Sequence, residues 1–226
     1  MKHANFHGIV AGDIIDSSEL SSEKRRRLDQ LLTEAHDTVG EAFGEDLPYP
    51  LAVSAGDEWR MYIERPSRVL AAAIAFWTSL KARDLNSRMV VAVGEVDFID
   101  QGDLNRADGT ALRCAGRRLH EISEDADKFG LFIPARKDEM ARLWMETTSE
   151  LTNILLDDLT SSQARAVTEM ICGVCGTNET PTLKEIAARW KPRPVTAQTV
   201  SKHLQRARWP SIDRTLQRFE DFWDYW

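Results

Sequence analysis

Two acidic turns that close apolar strand patterns constrain this 226-residue chain more than any other feature. The first, Gly12-Asp13-Ile14-Ile15-Asp16, follows the run Phe6-His7-Gly8-Ile9-Val10-Ala11. The second, Ala55-Gly56-Asp57-Glu58, separates Leu51-Ala52-Val53-Ser54 from Trp59-Arg60-Met61-Tyr62-Ile63 and reads as the tip of a hairpin. Gly and Asp are ordinary turn residues, because Gly supplies positive φ and Asp bonds its own backbone. Carboxylates crowded at the ends of apolar strands also raise one another's pKa and resist burial. A divalent cation removes that cost, and Mg²⁺ is commonly held by one or two carboxylates with substrate phosphates. The two turns are thus consistent with plain hairpin chemistry or with a metal site.

The rest of the N-terminal region alternates helix and strand patterns. Leu28, Leu31, Leu32, Ala35, Val39 and Phe43 share one face of a helix expected from Ser21 or Ser22 to Phe43. Lys24-Arg25-Arg26-Arg27 at its start reads as a solvated face, since a helix N-terminus disfavours cations. A second helix is expected over Ser67 to Arg83, after Pro66, and a buried strand over Met89 to Val96. Asp100 to Asp108 reads as a polar loop, Thr110 to Ser123 as a helix, Leu131-Phe132-Ile133 as a short strand, and Lys137 to Met145 as a helix. This order implies helices packed on a mixed sheet. No Gly-x-Gly-x-x-Gly follows the first strand, which excludes a Rossmann pattern.

Composition limits the setting. The net charge is −7, yet from Thr160 to Trp226 ten basic residues face seven acidic ones. That tail is near +3, and the asymmetry hints at nucleic-acid contact by the basic part. The odd count of three cysteines and an N-terminus without an apolar leader point to a reducing, cytoplasmic location. No apolar run approaches the ~20 residues of a membrane span. Cys172-Gly173-Val174-Cys175 lacks a second ligand pair at zinc spacing and reads as thiols buried near a helix end.

Taken in order, Gly12-Asp13-Ile14-Ile15-Asp16-Ser17, Gly56-Asp57-Glu58-Trp59, Val93-Gly94-Glu95-Val96 and Ala107-Asp108-Gly109-Thr110-Ala111 with Arg117 resemble the SatD family of bacterial proteins. More distantly the set is similar to the palm of class III nucleotidyl cyclases and GGDEF-type diguanylate cyclases. The resemblance covers residues 6–144. It implies an α+β fold: a ferredoxin-like palm sandwich over 1–150, followed by a small all-α helix-turn-helix domain over 151–226. It also implies that Asp13 and Asp57 hold Mg²⁺ or Mn²⁺, with the carbonyl of Ile14 as a backbone ligand. Glu58 matches the Glu ligand of GGDEF. Gly12, Gly56, Gly109 and Arg113 then surround a nucleotide, and Arg117 offsets phosphate charge, so that Asp13, Asp57 and Arg117 are the catalytic candidates. Two metals and an arginine suit in-line attack of a 3′-hydroxyl on an α-phosphate.

Departures from the cyclase pattern are informative. Val53 stands where a base-reading lysine is usual, Arg113 where an asparagine is usual, and Ala55 where GGDEF chains have a further glycine. These changes favour holding a nucleotide over cyclising one. From the residues alone, Arg113 and Arg117 equally read as surface cations near Glu121, and Glu95 and Asp97 as strand-end carboxylates.

The tail reads as three short helices. Thr160-Ser161-Ser162-Gln163 and Thr182-Leu183-Lys184-Glu185 both fit a capping box. The last helix, Thr196 to Arg206, turns Val200 and Leu204 inward and presents Gln198, Ser201, Lys202, Gln205 and Arg206 outward. Such a helix can read the major groove of duplex DNA. The aromatic run Phe219, Phe222, Trp223, Tyr225 and Trp226 reads as a packed helix or a homodimer contact. Three functional readings follow: a Mg-nucleotide-binding regulator with a DNA-binding tail, an active cyclase or nucleotidyltransferase, and a DNA-binding scaffold with a structural palm.

Overall fold

The computed structural model describes residues 5–54, 56–123, 127–134, 139–177 and 179–224. Strand β1 (Phe6–Ile14) lies at the centre of a five-stranded sheet. It pairs antiparallel with β3 (Glu58–Ile63) on one side and with β4 (Ser87–Glu95) on the other. β2 (Ala52–Ser54) forms one edge against β3, and β7 (Phe129–Phe132) runs parallel to β4 at the other. With helices α2 (Leu28–Phe43) and α3 (Val69–Lys81), the first four of these strands run β1-α2-β2-β3-α3-β4 and stand in the order β2-β3-β1-β4. Each βαβ unit therefore holds an antiparallel strand of the other unit between its own two strands. That is the ferredoxin-like sandwich expected from the sequence, in an α+β fold.

Period-two alternation divides β1 between two cores. Val10 and Ile14 join Met61, Ile63, Met89, Val91 and Val93 beneath α2 and α3. Ile9 and Ala11 join Tyr62, Val90 and Ala92 beneath α4 (Thr110–Ser123). Helix α3 is apolar almost all round, with every residue from Ala72 to Leu80 buried, because α6 (Ser161–Thr177) covers the side that faces away from the sheet. A buried hydroxyl pair there is satisfied: Thr78 and Thr168 lie 2.8 Å apart, one donating to the other, which in turn donates to a carbonyl of its own helix.

Several expected elements take a different form. The first helix is broken at Arg27 (φ −106°, ψ 6°) into α1 (Ser22–Arg26), capped by Ser21, and α2. The expected polar loop over 100–108 is instead a hairpin of β5 (Phe98–Asp100) and β6 (Asp103–Asp108). Gln101 and Gly102, at φ 51° and 79°, make its turn, and Leu104 anchors it in the core under α4. Helix α5 (Glu139–Asp157) continues twelve residues past the expected end at Met145; the expected start at Lys137 lies outside the described residues.

The boundary at 150/151 falls within α5, and Ala164, Val167 and Ile171 of α6 share the larger core with α2 and α3. Among the described residues three helices follow α6: α7 (Leu183–Arg189), α8 (Ala197–Arg206) and α9 (Trp209–Asp224). Both capping boxes form. The Thr160 and Gln163 amides each donate to the other's side chain, as do those of Thr182 and Glu185. Helix α9 lays Phe219 and Phe222 on Trp144 of α5, with ring centroids 6.5 and 5.1 Å apart. Tyr225 and Trp226 lie outside the described residues. No helix among the described residues is long and apolar enough to cross a membrane.

Candidate functional site

Alternation along β1 sends Asp13 to the α4 side of the sheet, in register with Arg88 of β4. The guanidinium grips both carboxylate oxygens, Nε to Oδ1 and Nη2 to Oδ2, each at 3.0 Å. Both side chains are largely shielded, 19% and 24% exposed, so this two-pronged contact is stronger than a surface pair. Gly12 faces the other way. A Cβ there would lie 2.3 Å from the Trp59 ring and 2.4 Å from the Arg88 carbonyl, so only glycine lets the fully buried indole cross β1 at this point. Ile14 ends the strand opposite Ser87, its side chain in the core.

The second acidic turn is tied to the first. Gly56 sits at φ 84° in the hairpin tip; Ala55 beside it lies outside the described residues. Ser17 follows β1 in a short 3-10 turn entered through Asp16 at φ 53°. Its hydroxyl donates to Asp57 Oδ2 at 2.5 Å, and its carbonyl accepts from Arg25 at 2.9 Å. Glu58, exposed, opens β3. Together Asp13, Glu58 and Arg60 line a cleft of 140 Å³ closed from above by Gly116, Leu119 and His120 of α4. Small-molecule pockets run to about 300–1,000 Å³. A phosphate-sized group fits the cleft, and a whole nucleotide does not.

Arg113 and Arg117 take positions on the exposed side of α4. Arg113 pairs with Asp108 at 2.6 Å and Asp97 at 3.6 Å, while Arg117 reaches Glu121 at 3.8 Å and is 67% exposed. Neither lines the cleft beside Asp13. Gly109 precedes α4 where a Cβ would meet the Glu95 carbonyl at 2.4 Å, so the absence of a side chain lets α4 start against the end of β4. Glu95 is exposed at the end of that strand.

The donor types at Asp13, Asp57 and Glu58 are the hard oxygens that Mg²⁺ or Mn²⁺ prefers. Their arrangement does not fit a cation as it stands. Arg88 occupies both oxygens of Asp13, and Ser17 occupies one of Asp57. Among the described residues no group of three or more His, Cys, Asp or Glu is placed to hold a metal ion. Arg88 already supplies the positive charge that a cation would bring. Sequence reasoning missed Arg88, Ser17 and His120. An arginine at the head of an apolar strand was the available signal for Arg88, but its register against Asp13 is a property of the pairing.

In the tail, Val200 and Leu204 of α8 pack against Ala166, Met170, Ile186 and Ala187. Gln198, Ser201, Lys202, Gln205 and Arg206 are all exposed. The α7–α8 connection spans residues 190–196 and is held by a Val195 N–H bond to the Ala187 carbonyl (3.1 Å) and by Trp190 stacked on His203 (5.7 Å). Cys172 and Cys175 are partly buried on α6, and burial pushes their thiols up to about 12 and about 11. Such thiols are protonated and unreactive at neutral pH, as the sequence led us to expect of buried cysteines.

No family model matches the chain, and no curated protein matches it. Among solved structures it is similar to a bacterial light-regulated adenylyl cyclase, at 14% identity over 56% of this chain and 75% of that one, with a TM-score of 0.41. It is similar also to the guanylate cyclase domain of RhGC from Catenaria anguillulae, solved with GTP (20%, 52% and 73%, TM-score 0.38). A third is the guanylyl cyclase domain of the RhoGC fusion protein from the aquatic fungus Blastocladiella emersonii (17%, 50% and 74%, TM-score 0.37). The fold assignment rests on the strand order described above.

Proposed function

We propose that the chain is a SatD-like regulator whose palm, residues 1–150, binds a nucleotide at the Asp13–Asp57 end of the sheet, with only a phosphate entering the cleft and the rest of the nucleotide lying outside it, and whose residues 151–226 bind duplex DNA. The observation that carries this reading is the Ser17–Asp57 hydrogen bond, which draws the two acidic turns together beside the cleft that Asp13 and Glu58 line. Mg²⁺ or Mn²⁺ belongs to the reading as a competitor of Arg88 for Asp13. Gly56 leaves the backbone bare at the hairpin tip, and Arg117 is an exposed cation on α4, whereas Gly109 and Arg113 stand at the far end of β4 beside Glu95 and Asp97. Val53 and the ion-paired Arg113, at positions where cyclases read the base and stabilise the transition state, favour binding over turnover.

Thermal shift with nucleoside triphosphates and Mg²⁺ tests the palm. Stabilisation is expected in the wild type and not in Asp13→Ala/Asp57→Ala. No nucleotide-dependent shift, or one that survives the double substitution, sinks the nucleotide reading. Chromatography of the same mixtures separates holding from conversion. For the tail, the exposed row Gln198, Ser201, Lys202, Gln205 and Arg206 supports contact with base edges and phosphates. Gel retardation should fall with salt and weaken in Lys202→Ala/Arg206→Ala. Unchanged affinity in that variant would remove α8 from the interface.

A further inference from the structure

Across the α2–α3 layer from Asp13, a second recess of 300 Å³ opens where these helices meet α6 and the end of α7. Four cations line it: Arg83 just after α3, Arg165 on α6, Arg189 ending α7, and Lys191. Glu169 is the one carboxylate among its described lining residues.

Two of the cations are fixed in place without being neutralised. Arg83 donates through Nη1 to the carbonyl and hydroxyl of Ser79 (2.9 and 2.6 Å) and through Nη2 to the Glu34 carbonyl (3.2 Å) and the Thr38 hydroxyl (3.1 Å). Arg165 donates to the Lys191 carbonyl and lies over the Trp190 ring, 5.6 Å from its centroid. All of these acceptors are neutral. Only Arg189 has a carboxylate partner among the described residues, Glu169 at 3.3 Å. Burial, and then the charge of Arg165, lowers the pKa of Arg83 in spite of nearby Glu34. Like charges gathered around one recess repel, and the half-buried Arg83 and Arg165 at its base resist burial. A bound anion offsets that cost.

We propose that this recess binds a small phosphate-bearing molecule, its phosphoryl dianion held between Arg165, Arg189 and Lys191. Guanidinium forks suit phosphate oxygens bidentately. The volume lies at the lower end of small-molecule pockets, enough for a phosphate on a sugar-sized body. Buried Ser79 and Thr168 form part of the lining, which suits a small molecule better than the convex backbone of a duplex. The site is independent of the Asp13–Asp57 reading. Because its walls come from α2 and α3 on one side and α6 and α7 on the other, the ligand braces the palm against the helices that lead to α8.

The test uses the full chain with inorganic phosphate, pyrophosphate and ribose 5-phosphate, in thermal shift and calorimetry, with acetate at matched ionic strength as control. The phosphates should raise the melting temperature and acetate should not. Arg189→Gln/Lys191→Gln alters two exposed positions and should weaken binding by about tenfold or more, the loss expected for one charge-assisted hydrogen bond or more. Glu169→Gln should tighten it, an effect that a merely structural role for these residues does not produce. Asp13→Ala/Asp57→Ala should leave it unchanged. The proposal is overturned if the phosphates act no more than acetate, or if Arg189→Gln/Lys191→Gln binds them as the wild type does. It is equally overturned if those two cations matter only for a short DNA duplex.

Discussion

The sheet face under α2 and α3 and the face under α4 are closed in different ways. Beneath α2 and α3 the core is continuous and apolar, with Trp59 set edge-on to Phe76 at 4.6 Å and extended outward through α3 to α6. Beneath α4 the apolar patch is small, and polar groups stand at both of its ends. Asp13 with Arg88 occupies one end. At the other, the Tyr62 hydroxyl donates to Glu64 at 2.9 Å and lies 2.6 Å from His7 Nδ1. Burial, reinforced by Glu64, raises the Tyr62 pKa, so that hydroxyl remains a donor at any working pH. The same strands serve both faces, one residue apart. Stability concentrated on one side leaves the other free to shield charges, which cost more to hold than they return.

Substitutions can break this contrast, beginning with the apolar face. Trp59→Ala should cost about 3–5 kcal/mol in chemical denaturation, the range for deleting a large buried aromatic. A loss below that range would mean that α3 and α6 collapse into the space. Gly12→Ala bears on both faces, since its methyl would press on the Trp59 ring and the Arg88 carbonyl. Backbone cannot yield as a flexible side chain can, and the expected cost is about 1–3 kcal/mol. On the α4 face, Arg88→Gln should destabilise by about 1–2 kcal/mol, discounted for partial exposure. It should also raise Mg²⁺ affinity if the cation competes for Asp13. A double-mutant cycle with Asp13→Asn reads the coupling directly. Coupling near zero would make the pair incidental and erase the distinction drawn here between the two ends of β1.

Much of the palm was legible because its signals are local. Apolar alternation in β1 and β3, the helical spacing from Leu28 to Phe43, and the Thr110–Ser123 helix all follow from short-range periodicity. The β5–β6 hairpin was missed because Asp100 and Arg106, an ion pair at 2.6 Å, make its strands look like loop. Among the described residues Leu104 of the hairpin is buried and Ile99 partly so against the same core, too few apolar positions to give a period. The turn carboxylates could be named from sequence, but their partners could not. Arg88 and Ser17 reach Asp13 and Asp57 through strand register and a left-handed Asp16, which no local pattern encodes. The cationic recess has the same cause. Arg83, Arg165 and the Arg189–Lys191 pair come from three separate segments, and only the packing of the tail helices on α2 and α3 unites them.

The smallest effect concerns a histidine on the apolar side. His36 of α2 is 8% exposed, its Nε2 is buried without a hydrogen-bond partner among the described residues, and its Nδ1 lies 3.9 Å from Asp37. Burial lowers its pKa, and Asp37 only partly opposes the shift. The unfolded chain therefore binds the proton at a higher pH, near the ordinary value of about 6.5. Between the two values the unfolded state carries more protons, and stability rises with pH. The contribution is complete above about pH 6.5 and is lost as the pH falls toward the folded value. His203 shifts in the same direction, through burial and Arg206, so His36→Leu should flatten the acid limb of stability only in part. Urea midpoints at pH 5 and pH 7.5 measure it. If wild type and His36→Leu lose the same stability on acidification, the α2 face is wetter than its burial implies, and the contrast between the two faces narrows.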